Sequence, residues 1–432
     1  MIRKTWRFAK KALGLGLIST VIFTCVQFSY HEKPDYFQEE RRLLVNVQKL
    51  GNAAENGVFL SPRSKVTVRA EKNAPIIPED IIFNEEDMLD EHGRRYTIII
   101  WVNSAGKPGY AANPLECLAN ISCQITYDKS LLNKAHAVVF KSDSLNRGNL
   151  PSERQGYQQF AWWASESPIH SSVSGGFDNY FNLTFHYRTD ADVYAPYGSI
   201  NLILRELNAS GETELEPLLA KKRKANKMAI WAVSNCYAKR MDYAKSLMAA
   251  GLEVDTFGRC FGGKEIGRGR YSSQMYEKIE NYKFYFSFEN SIDCKDYFTE
   301  KFWFNGLRSG TIPIVWGPKK SDLLKVAPSK SFIHTGDYKT PEELVKYLQY
   351  LASNETAYAE YFHWRSWIKH PERIEEHLTM TNRDHDLRSF CKLCSIVQAD
   401  GKRRKLGLES PKKVINSLKD AWLGEEKGQC HG

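Results

Sequence analysis

The stretch YKFYFSFENSIDCKDYFTEKFWFNGLRSGTIPIVW, residues 282–316, has the pattern of a strand, a polar turn, a helix and a second strand. Five of its first seven residues are aromatic, which is typical of a strand that is buried on both faces. The turn that follows, from Glu289 to Lys301, is crowded with acidic, amide and basic side chains. In open α/β sheets, ligands bind where the carboxyl ends of strands lead into helices. The crowded turn is therefore the first candidate for a binding site.

Apolar runs on either side of this stretch divide the chain into two α/β series. The chain has 432 residues, of which 42% are apolar and 26% charged, a composition that suits two or three globular domains. Strands are predicted at 96–102, 123–127, 137–140, 160–164, 228–233, 252–257, 282–288 and 311–316, with helices at 238–250 and from Thr299 onward. The fold class is therefore α/β, with two facing Rossmann-like domains.

The amino-terminal segment has the pattern of a signal anchor. Residues 1–11 contain five basic residues and no acid, and residues 12–30 carry no charge. As a helix, the uncharged stretch would reach about 28 Å, which is enough for a thin bilayer. A cleavable signal peptide is the alternative, but residues 25–30 contain no convincing small-x-small cleavage site. The basic flank predicts a cytosolic start and a luminal remainder, as in a type II membrane protein.

Cysteines and glycosylation sequons agree with a luminal location. Eight cysteines follow Cys25, and an even number in an oxidising compartment indicates disulfides. Cys391 and Cys394 form a CxxC motif that would also suit zinc, but Cys117 and Cys123 are spaced too widely for the second half of a usual zinc site. N-glycosylation sequons stand at Asn120, Asn182, Asn208 and Asn354.

The net charge of +9 has its densest clusters at 221–224 and 402–405. No nucleic-acid-binding signature accompanies them, so we interpret them as solvated basic faces and expect no nucleic-acid partner. A positive surface is compatible with an anionic small substrate. The oligomeric state is not indicated by the sequence.

The crowded turn suits a nucleotide sugar. We expect Thr299 to cap the helix, which places Glu300 and Lys301 in its first turn. A lysine there is unfavourable in the empty protein, because the start of a helix already carries partial positive charge. A bound diphosphate reverses that sign, and a neighbouring carboxylate suits a ribose diol. The turn therefore predicts a diphosphate site that is built without a P-loop.

Residues 288–318, FENSIDCKDYFTEKFWFNGLRSGTIPIVWGP, closely resemble the signature of the Golgi α-1,3-fucosyltransferase family, the Lewis-type enzymes. Further stretches resemble the family in the same order: CQITYDKSLLNKAHAVVF (123–140), WWASESPIH (162–170), NLTFHYRTDADVYAPYG (182–198), SNCYAKRMDYAKSL (234–247), FGRC (257–260) and FCKLC (390–394). The resemblance covers residues 96–395 and implies a GT-B fold. It implies inverting transfer of L-fucose from GDP-β-L-fucose, in α-1,3 linkage, to GlcNAc of N-acetyllactosamine-type glycans on glycoproteins or glycolipids, at the Golgi membrane.

With this resemblance, the predicted organisation has six parts. They are a cytosolic tail (1–11), a transmembrane signal anchor (12–30), a stem (31–93), an acceptor-binding α/β domain (94–220), a GDP-fucose-binding α/β domain (221–365) and a C-terminal helical segment that packs back on the first domain (366–432).

Glu166, in ASESPIH, matches the general base of the family. Trp162 and Trp163 precede it and are expected to shield its carboxylate from water. Without the resemblance, a glutamate at a helix start before Pro168 would be the simpler interpretation. The donor-binding residues that the resemblance implies are Arg240, Lys301 and Arg259 at the diphosphate, Glu300 and Tyr297 at the ribose or fucose, and Asn290, for which a turn-capping role is the alternative.

The resemblance implies no obligatory metal or cofactor besides the donor substrate GDP-fucose. Asp190 and Asp192 form a DxD pattern, but the corresponding segment of the family is structural. Stimulation by Mn²⁺ or Mg²⁺ on the diphosphate remains compatible with this assignment. The resemblance also pairs Cys117 and Cys123 with Cys391 and Cys394, and Cys236 with Cys260, leaving Cys294 and Cys430, both departures from the family pattern, to pair or stay free.

Two alternatives stay open. One is core α-1,3-fucosylation of N-glycans, and the other is a catalytically inactive, glycan-binding Golgi membrane protein. The joint presence of Glu166, Arg240, Glu300 and Lys301 favours an active enzyme, since an inactive relative tends to lose the charged residues of its site first.

Overall fold

The structure is a computed structural model that describes residues 83–101, 113–116, 121–171, 173, 175–225, 227–263, 266, 273–370, 372–377, 389–410, 412–424 and 430–432. The predicted tail and signal anchor, most of the stem, Cys117 and Asn120 lie outside the described residues. Within the described ranges, no helix is long and apolar enough to span a membrane.

The described strands form two sheets. The first contains β1 (Tyr96–Trp101), β2 (Asn113–Glu116), β3 (Ser122–Thr126), β4 (Ala137–Lys141), β5 (Gln159–Ala164), β6 (Leu183–His186) and β7 (Val193–Tyr194). The second contains β8 (Lys227–Ala232), β9 (Val254–Phe257), β10 (Tyr282–Phe288), β11 (Ile312–Trp316) and β12 (Ile333–His334). Their orders are β2-β3-β1-β4-β5-β6-β7 and β12-β11-β10-β8-β9. Every pairing is parallel except that of β2 with β3, which agrees with the predicted pair of Rossmann-like domains.

Helices surround both sheets. The α-helices are α1 (Ile200–Ala209), α2 (Leu215–Lys224), α3 (Ala238–Ala249), α4 (Ser273–Glu280), α5 (Lys320–Val326), α6 (Pro341–Ser353), α7 (Glu355–Ala359), α8 (Glu372–His377), α9 (Ser389–Lys405) and α10 (Leu418–Leu423). A π-helix covers Lys301–Arg308. Short 3₁₀ segments cover Glu85–Met88, Lys129–Lys134, Ser142–Ser144, Arg147–Asn149, Arg259–Phe261, Thr335–Asp337 and Glu360–Ile368.

The apolar runs of the sequence become central strands because both of their faces are covered. All six residues of β1 are buried, and in β10 only Lys283 is partly exposed. Leu393 and Val397 of α9 pack in the same cluster as Ile98 of β1. The hydrophobic core of the first sheet therefore includes a helix that lies far along the chain.

Helices α1 and α2 pack on the second domain, although the predicted boundary at residue 220 placed α1 and the first six residues of α2 in the first domain. Ile203 and Leu207 of α1 share a cluster with Trp303 of the π-helix. Leu218 of α2 joins the core of the second sheet. The chain crosses between domains at Gly198. A methyl group added there would lie 2.5 Å from Cγ of Trp303, so the backbone passes too close to the indole for a larger residue. An amphipathic pattern shows that a helix buries one face, but not which sheet covers that face.

The C-terminal helices pack on the first domain. A disulfide joins Cys123 of β3 to Cys394 of α9, as the resemblance implies. The ring of Trp422 in α10 lies 4.9 Å from that of Trp162 in β5, centroid to centroid. Cys391 is also disulfide-bonded. Cys117, one of the two cysteines predicted to pair with Cys391 and Cys394, lies outside the described residues.

The two basic clusters are partly structural, so their interpretation as solvated faces was wrong in part. Lys222 is buried, and its Nζ donates hydrogen bonds to the carbonyl oxygens of Glu280 and Tyr282, at 2.6 and 2.8 Å. Burial lowers the pKa of Lys222 to about 7. In the second cluster, Nζ of Lys402 lies 2.8 Å from a carboxylate oxygen of Asp87. Both clusters therefore help to hold the fold together.

The described sequon asparagines differ in accessibility. Asn182 is buried, and its Nδ2 donates to the carbonyl oxygen of Lys413 at 2.7 Å, so the prediction of a glycan there was wrong for the folded chain. Asn354 is half-buried, and its Nδ2 lies 3.1 Å from the hydroxyl of Tyr350. Asn208 is exposed near the end of α1 and stays a prediction.

Candidate active site

The predicted donor-binding residues lie where the strand order of the second sheet reverses. Strand β8 lies between β9 and β10, so the chain continues to opposite sides of β8. Ligands of doubly wound folds bind at the carboxyl ends of strands at such a point. Arg240, in the first turn of α3, donates from Nη1 to the carbonyl oxygen of Phe288 at 3.0 Å. This bond joins the segment after β8 to the end of β10.

Arg240 carries a buried charge at this point. The residue is 2% exposed, its Nη2 donates to the carbonyl oxygen of Asn235, and its buried Nε has no hydrogen-bond partner. The nearby carboxylates of Glu289 and Glu300 form their ion pairs with Lys301, and within the described ranges no ion pair involves Arg240. A buried cation without a paired carboxylate is suited to an anionic ligand.

Arg259 lies at the same end of the second sheet. It is exposed, and its Nε and Nη2 donate to the carbonyl oxygen of Ser234 at 3.1 and 2.9 Å. The predicted disulfide between Cys236 and Cys260 is present and holds the segments after β8 and β9 together. The structure therefore places Arg259 beside the segment that leads to Arg240.

Lys301 is held by two carboxylates. Its Nζ lies 3.1 Å from Oε2 of Glu289, 3.2 Å from Oε1 of Glu300 and 2.8 Å from Oγ1 of Thr299. Burial opposes the charge of Lys301, but the two carboxylates outweigh burial and raise its pKa. The lysine and both carboxylates therefore form one charged cluster between the end of β10 and the start of the π-helix.

Glu289 was missed by the sequence analysis. Its side chain is 1% exposed, and it accepts hydrogen bonds from the backbone nitrogen and Oγ1 of Thr299, both at 2.8 Å. Burial raises the pKa of Glu289, and Lys301 opposes that shift. The only signal in the sequence is its position directly after a buried strand, which does not reveal a charge partner twelve residues later.

The helix after β10 begins where the sequence predicts. Glu300 is already helical, with φ of −50° and ψ of −24°, so Thr299 stands at the N-cap, and its Oγ1 lies 3.5 Å from the backbone nitrogen of Lys301. From Lys301 to Arg308 the helix is a π-helix. Lys301 does lie in the first turn, as predicted. However, the expectation that it is unfavourable in the empty protein was wrong, because Glu289 and Glu300 compensate its charge.

Glu166 lies in the loop after β5 and contacts the segment after β10. Its Oε2 accepts hydrogen bonds from the hydroxyl of Tyr297 at 3.0 Å and from Nδ2 of Asn290 at 3.3 Å. A second link joins Nε2 of His170 to the carbonyl oxygen of Asn290 at 3.1 Å. The structure therefore brings together three predicted site residues from both sheets, and Glu166 remains exposed.

Trp162 and Trp163 do not shield Glu166, contrary to the expectation. Successive residues of a strand point to opposite faces of the sheet. The ring of Trp162 packs against Trp422, and that of Trp163 stacks on Phe185 at 5.4 Å. Both tryptophans therefore stabilise the layers on either side of the first sheet.

Tyr297 has a buried phenol. Its ring centroid lies 5.1 Å from that of Tyr187 and 6.4 Å from that of Tyr197. Burial raises the pKa of Tyr297 well above its ordinary value, as do nearby tyrosines and carboxylates. The hydroxyl therefore keeps its proton and acts as a hydrogen-bond donor to Glu166.

The DxD aspartates have protein partners. Asp190 pairs with Arg188, and Asp192 accepts a hydrogen bond from the backbone nitrogen of Thr184 at 2.8 Å and pairs with Lys413 at 2.6 Å. In the part of the chain that the structure describes, no group of three His, Cys, Asp or Glu side chains is arranged to hold a metal ion.

Comparison with known proteins identifies related sequences along both domains. Residues 221–420 match the family model described as "Glycosyltransferase family 10 (fucosyltransferase) C-term", and residues 93–198 match "Fucosyltransferase, N-terminal". The 4-galactosyl-N-acetylglucosaminide 3-alpha-L-fucosyltransferase 9 of Bos taurus is 35% identical over 275 residues, which cover 62% of this chain and 71% of that protein. The human 4-galactosyl-N-acetylglucosaminide 3-alpha-L-fucosyltransferase FUT6 is 32% identical over 323 residues, 72% of this chain and 81% of that protein.

Among solved structures, a crystal structure of an α1,3-fucosyltransferase aligns with a TM-score of 0.41 and 18% identity over 62% of this chain and 80% of that chain. Another, with GDP-fucose, aligns with a TM-score of 0.37 and 19% identity over 56% of this chain and 72% of that chain. Family membership is shown by the sequence relatives, which exceed 30% identity over most of their own length. The chain belongs to glycosyltransferase family 10, the fucosyltransferases.

Proposed function

We propose that this protein transfers L-fucose from GDP-β-L-fucose, with inversion, in α-1,3 linkage to GlcNAc of N-acetyllactosamine-type glycans on glycoproteins or glycolipids. The observation that carries the proposal is the contact of Glu166 with Asn290 and Tyr297, which places an exposed carboxylate against the predicted donor site. Family membership and the names of the fucosyltransferase relatives support the reaction and the acceptor sugar.

On the acceptor side, Glu166 is the proposed general base. Both of its hydrogen bonds reach Oε2, which leaves Oε1 to accept the proton of the acceptor hydroxyl. The acceptor oxygen then bonds to the anomeric carbon of fucose as the bond from that carbon to the GDP oxygen breaks. The leaving electron pair stays on the diphosphate, and by analogy with glycoside hydrolysis the transition state resembles an oxocarbenium ion.

On the donor side, Arg240 and Lys301 are proposed to stabilise the diphosphate. Arg240 has a buried guanidinium whose Nε is unpaired. Lys301 would exchange its contact with Glu300 for a phosphate oxygen and keep its contact with Glu289. Glu300 would then be released to accept hydrogen bonds from the ribose diol. Two cationic side chains at the leaving group make a metal ion dispensable in this proposal, although Mn²⁺ or Mg²⁺ could still stimulate the reaction.

We further propose that the protein is a single-pass type II protein of the Golgi membrane with its catalytic domains in the lumen. The uncharged residues 12–30 and their basic flank support an anchor with this orientation. The disulfides Cys123–Cys394, Cys236–Cys260 and Cys294–Cys430 support folding in an oxidising compartment.

The function can be tested by incubating the full-length chain with GDP-fucose and a panel of acceptors. The panel contains N-acetyllactosamine, its sialylated form, LacdiNAc and the N-glycan core, and the linkage of each product is determined by NMR. The proposal expects an α-1,3-fucosylated GlcNAc from N-acetyllactosamine. If only the N-glycan core yields a product, the acceptor is the core glycan and not N-acetyllactosamine. If glycans bind but no fucose is transferred under any condition, the protein is an inactive glycan-binding protein.

A further inference from the structure

Residues 430–432 form a clasp on the segment that follows β10. The backbone nitrogen of Ile292 donates to the carbonyl oxygen of His431 at 2.8 Å, and the nitrogen of His431 donates back at 3.0 Å. A disulfide between Cys294 and Cys430 lies beside this bridge, and both cysteines are buried. The sequence alone leaves these two cysteines to pair or stay free and assigns them no role.

The segment held by the clasp is the one that reaches Glu166. Asn290 and Tyr297 stand on either side of Ile292 and Cys294, and both donate hydrogen bonds to Oε2 of Glu166. A shift of the middle of this segment would therefore move both donors together.

The backbone of the segment needs contacts from outside. Asp293 and Asp296 have φ angles of 54° and 56°, in the left-handed region that residues other than glycine seldom adopt. The nitrogen of Asp293 donates to the carbonyl oxygen of Gly317 at 2.8 Å, and the carboxylate of Asp296 accepts from the nitrogen of Thr189 at 2.9 Å. These contacts fix the segment at Asp293 and Asp296. The clasp fixes it at Ile292 and Cys294, which lie nearer to Asn290 in the sequence.

The clasp also touches the segment that carries Glu166. A methyl group added at Gly432 would lie 2.9 Å from Cγ2 of Ile169 and 3.8 Å from the hydroxyl of Tyr237. Ile169 is an exposed apolar residue three positions after Glu166. The clasp therefore lies against both segments whose side chains meet at the Glu166 carboxylate.

We propose that Cys430, through its disulfide to Cys294, is a positioning residue for fucose transfer. It fixes the segment after β10 so that Asn290 and Tyr297 orient the carboxylate of Glu166 toward the acceptor hydroxyl. The inference rests on the proposed function. Because Arg240 and Lys301 are held by other contacts, the clasp governs turnover and has little influence on binding of GDP.

The test compares full-length wild type with Cys430→Ser, Cys294→Ser and the double variant. We expect each variant to lower kcat at least tenfold while the Kd for GDP changes less than about threefold. The loss of kcat in the double variant should be no larger than in either single variant, because all three variants remove the same disulfide bond. In a Glu166→Gln background, Cys430→Ser should have little further effect, since its influence passes through Glu166.

A stability control separates positioning from folding. Leu348→Ala removes a buried side chain from α6 in the core of the second sheet, away from Glu166, and should lower Tm without the tenfold loss in kcat per folded molecule. Unchanged kcat in Cys430→Ser, or an undiminished further loss in the Glu166→Gln background, would overturn the proposal. Absence of fucose transfer by the wild type would instead contradict the proposed function, so the two failures are distinguishable.

Discussion

The hydroxyl of Tyr297 donates a hydrogen bond of 3.0 Å to Oε2 of Glu166, although 131 positions of sequence separate the two residues. The candidate base thus follows a strand of one sheet and takes its orientation from a segment that follows a strand of the other. The arrangement of the two domains is therefore part of the site, and several measurements can examine it.

Replacement of Glu166 by glutamine should reduce catalysis much more than donor binding. Glutamine keeps the shape of the side chain but cannot accept the acceptor proton, so we expect kcat to fall by about 10²–10⁴-fold. The Kd for GDP, measured by titration calorimetry, should change less than about twofold, because the proposed diphosphate contacts lie at Arg240 and Lys301. A variant that kept more than half of the wild-type turnover would place the base elsewhere.

Lys301→Ala should weaken GDP binding and also destabilise the empty protein. The change leaves Glu289 buried without its cation, and breaking a buried pair in this way costs about 3–5 kcal/mol. Loss of a charge-assisted contact to the diphosphate should weaken GDP by about tenfold or more. Urea unfolding with and without GDP measures both effects.

The matched control for that experiment is the double variant Lys301→Met with Glu289→Gln. It removes both charges of the pair, so it should regain part of the stability lost in Lys301→Ala while GDP binding stays weak. An unchanged free energy of unfolding in Lys301→Ala would show that the buried carboxylate of Glu289 does not need the charge of Lys301 to compensate its burial.

The free energy of unfolding should fall as the pH is lowered from 6.5 to 4, in part because of His136. Burial lowers the pKa of His136 from 6.5 to about 4, and its Nδ1 accepts a hydrogen bond from the nitrogen of Thr97 at 3.1 Å. In this window the unfolded chain binds a proton that the folded chain excludes. The group therefore contributes its full stability above pH 6.5 and loses up to about 3 kcal/mol on acidification to pH 4.

Urea unfolding at pH 7 and pH 5 measures this effect. His136→Gln should show a smaller difference between the two pH values than the wild type, because glutamine does not titrate. The control His363→Gln changes an exposed histidine and should keep the wild-type difference. If the free energy of unfolding changed equally with pH in all three proteins, His136 would not be a cause of the acid destabilisation.

The Cys123–Cys394 disulfide should be important for stability. It closes a sequence separation of 271 residues and joins β3 to α9 within the first core. Replacement of both cysteines by alanine should lower the free energy of unfolding by about 2–5 kcal/mol, and peptide mapping without reductant should recover this pair in the wild type. Mapping that found Cys394 bonded to Cys391, or both as free thiols, would contradict the assignment.

Fucose transfer should persist in EDTA to a substantial degree. In the proposed mechanism, Arg240 and Lys301 carry the charge of the departing diphosphate without a metal ion. Initial rates in EDTA, with and without added Mn²⁺, measure the dependence. Complete loss in EDTA with full recovery by Mn²⁺ would assign the main stabilising role to a metal.

The sequence predicted the long strands well and the short ones poorly. The buried runs at β1 and β10 carry a strong apolar signal, whereas β7 and β12 have two residues each and show no periodicity. In the site, the residue types of the segment after β10 indicated a diphosphate, but the burial of Glu289 depends on tertiary contacts. The position of α1 likewise depends on which sheet lies nearest, and no local pattern contains that information.

The packing of α9 on the first sheet has a consequence for biosynthesis. A ribosome completes β1 long before α9, with an interval of about 15–60 s at rates of about 5–20 residues per second. Until then, Cys123 lacks its partner and Ile98 lacks the cover of Leu393 and Val397. The domain that is translated first is therefore completed only after the second has been translated, and until then part of its apolar core lacks the cover that α9 provides.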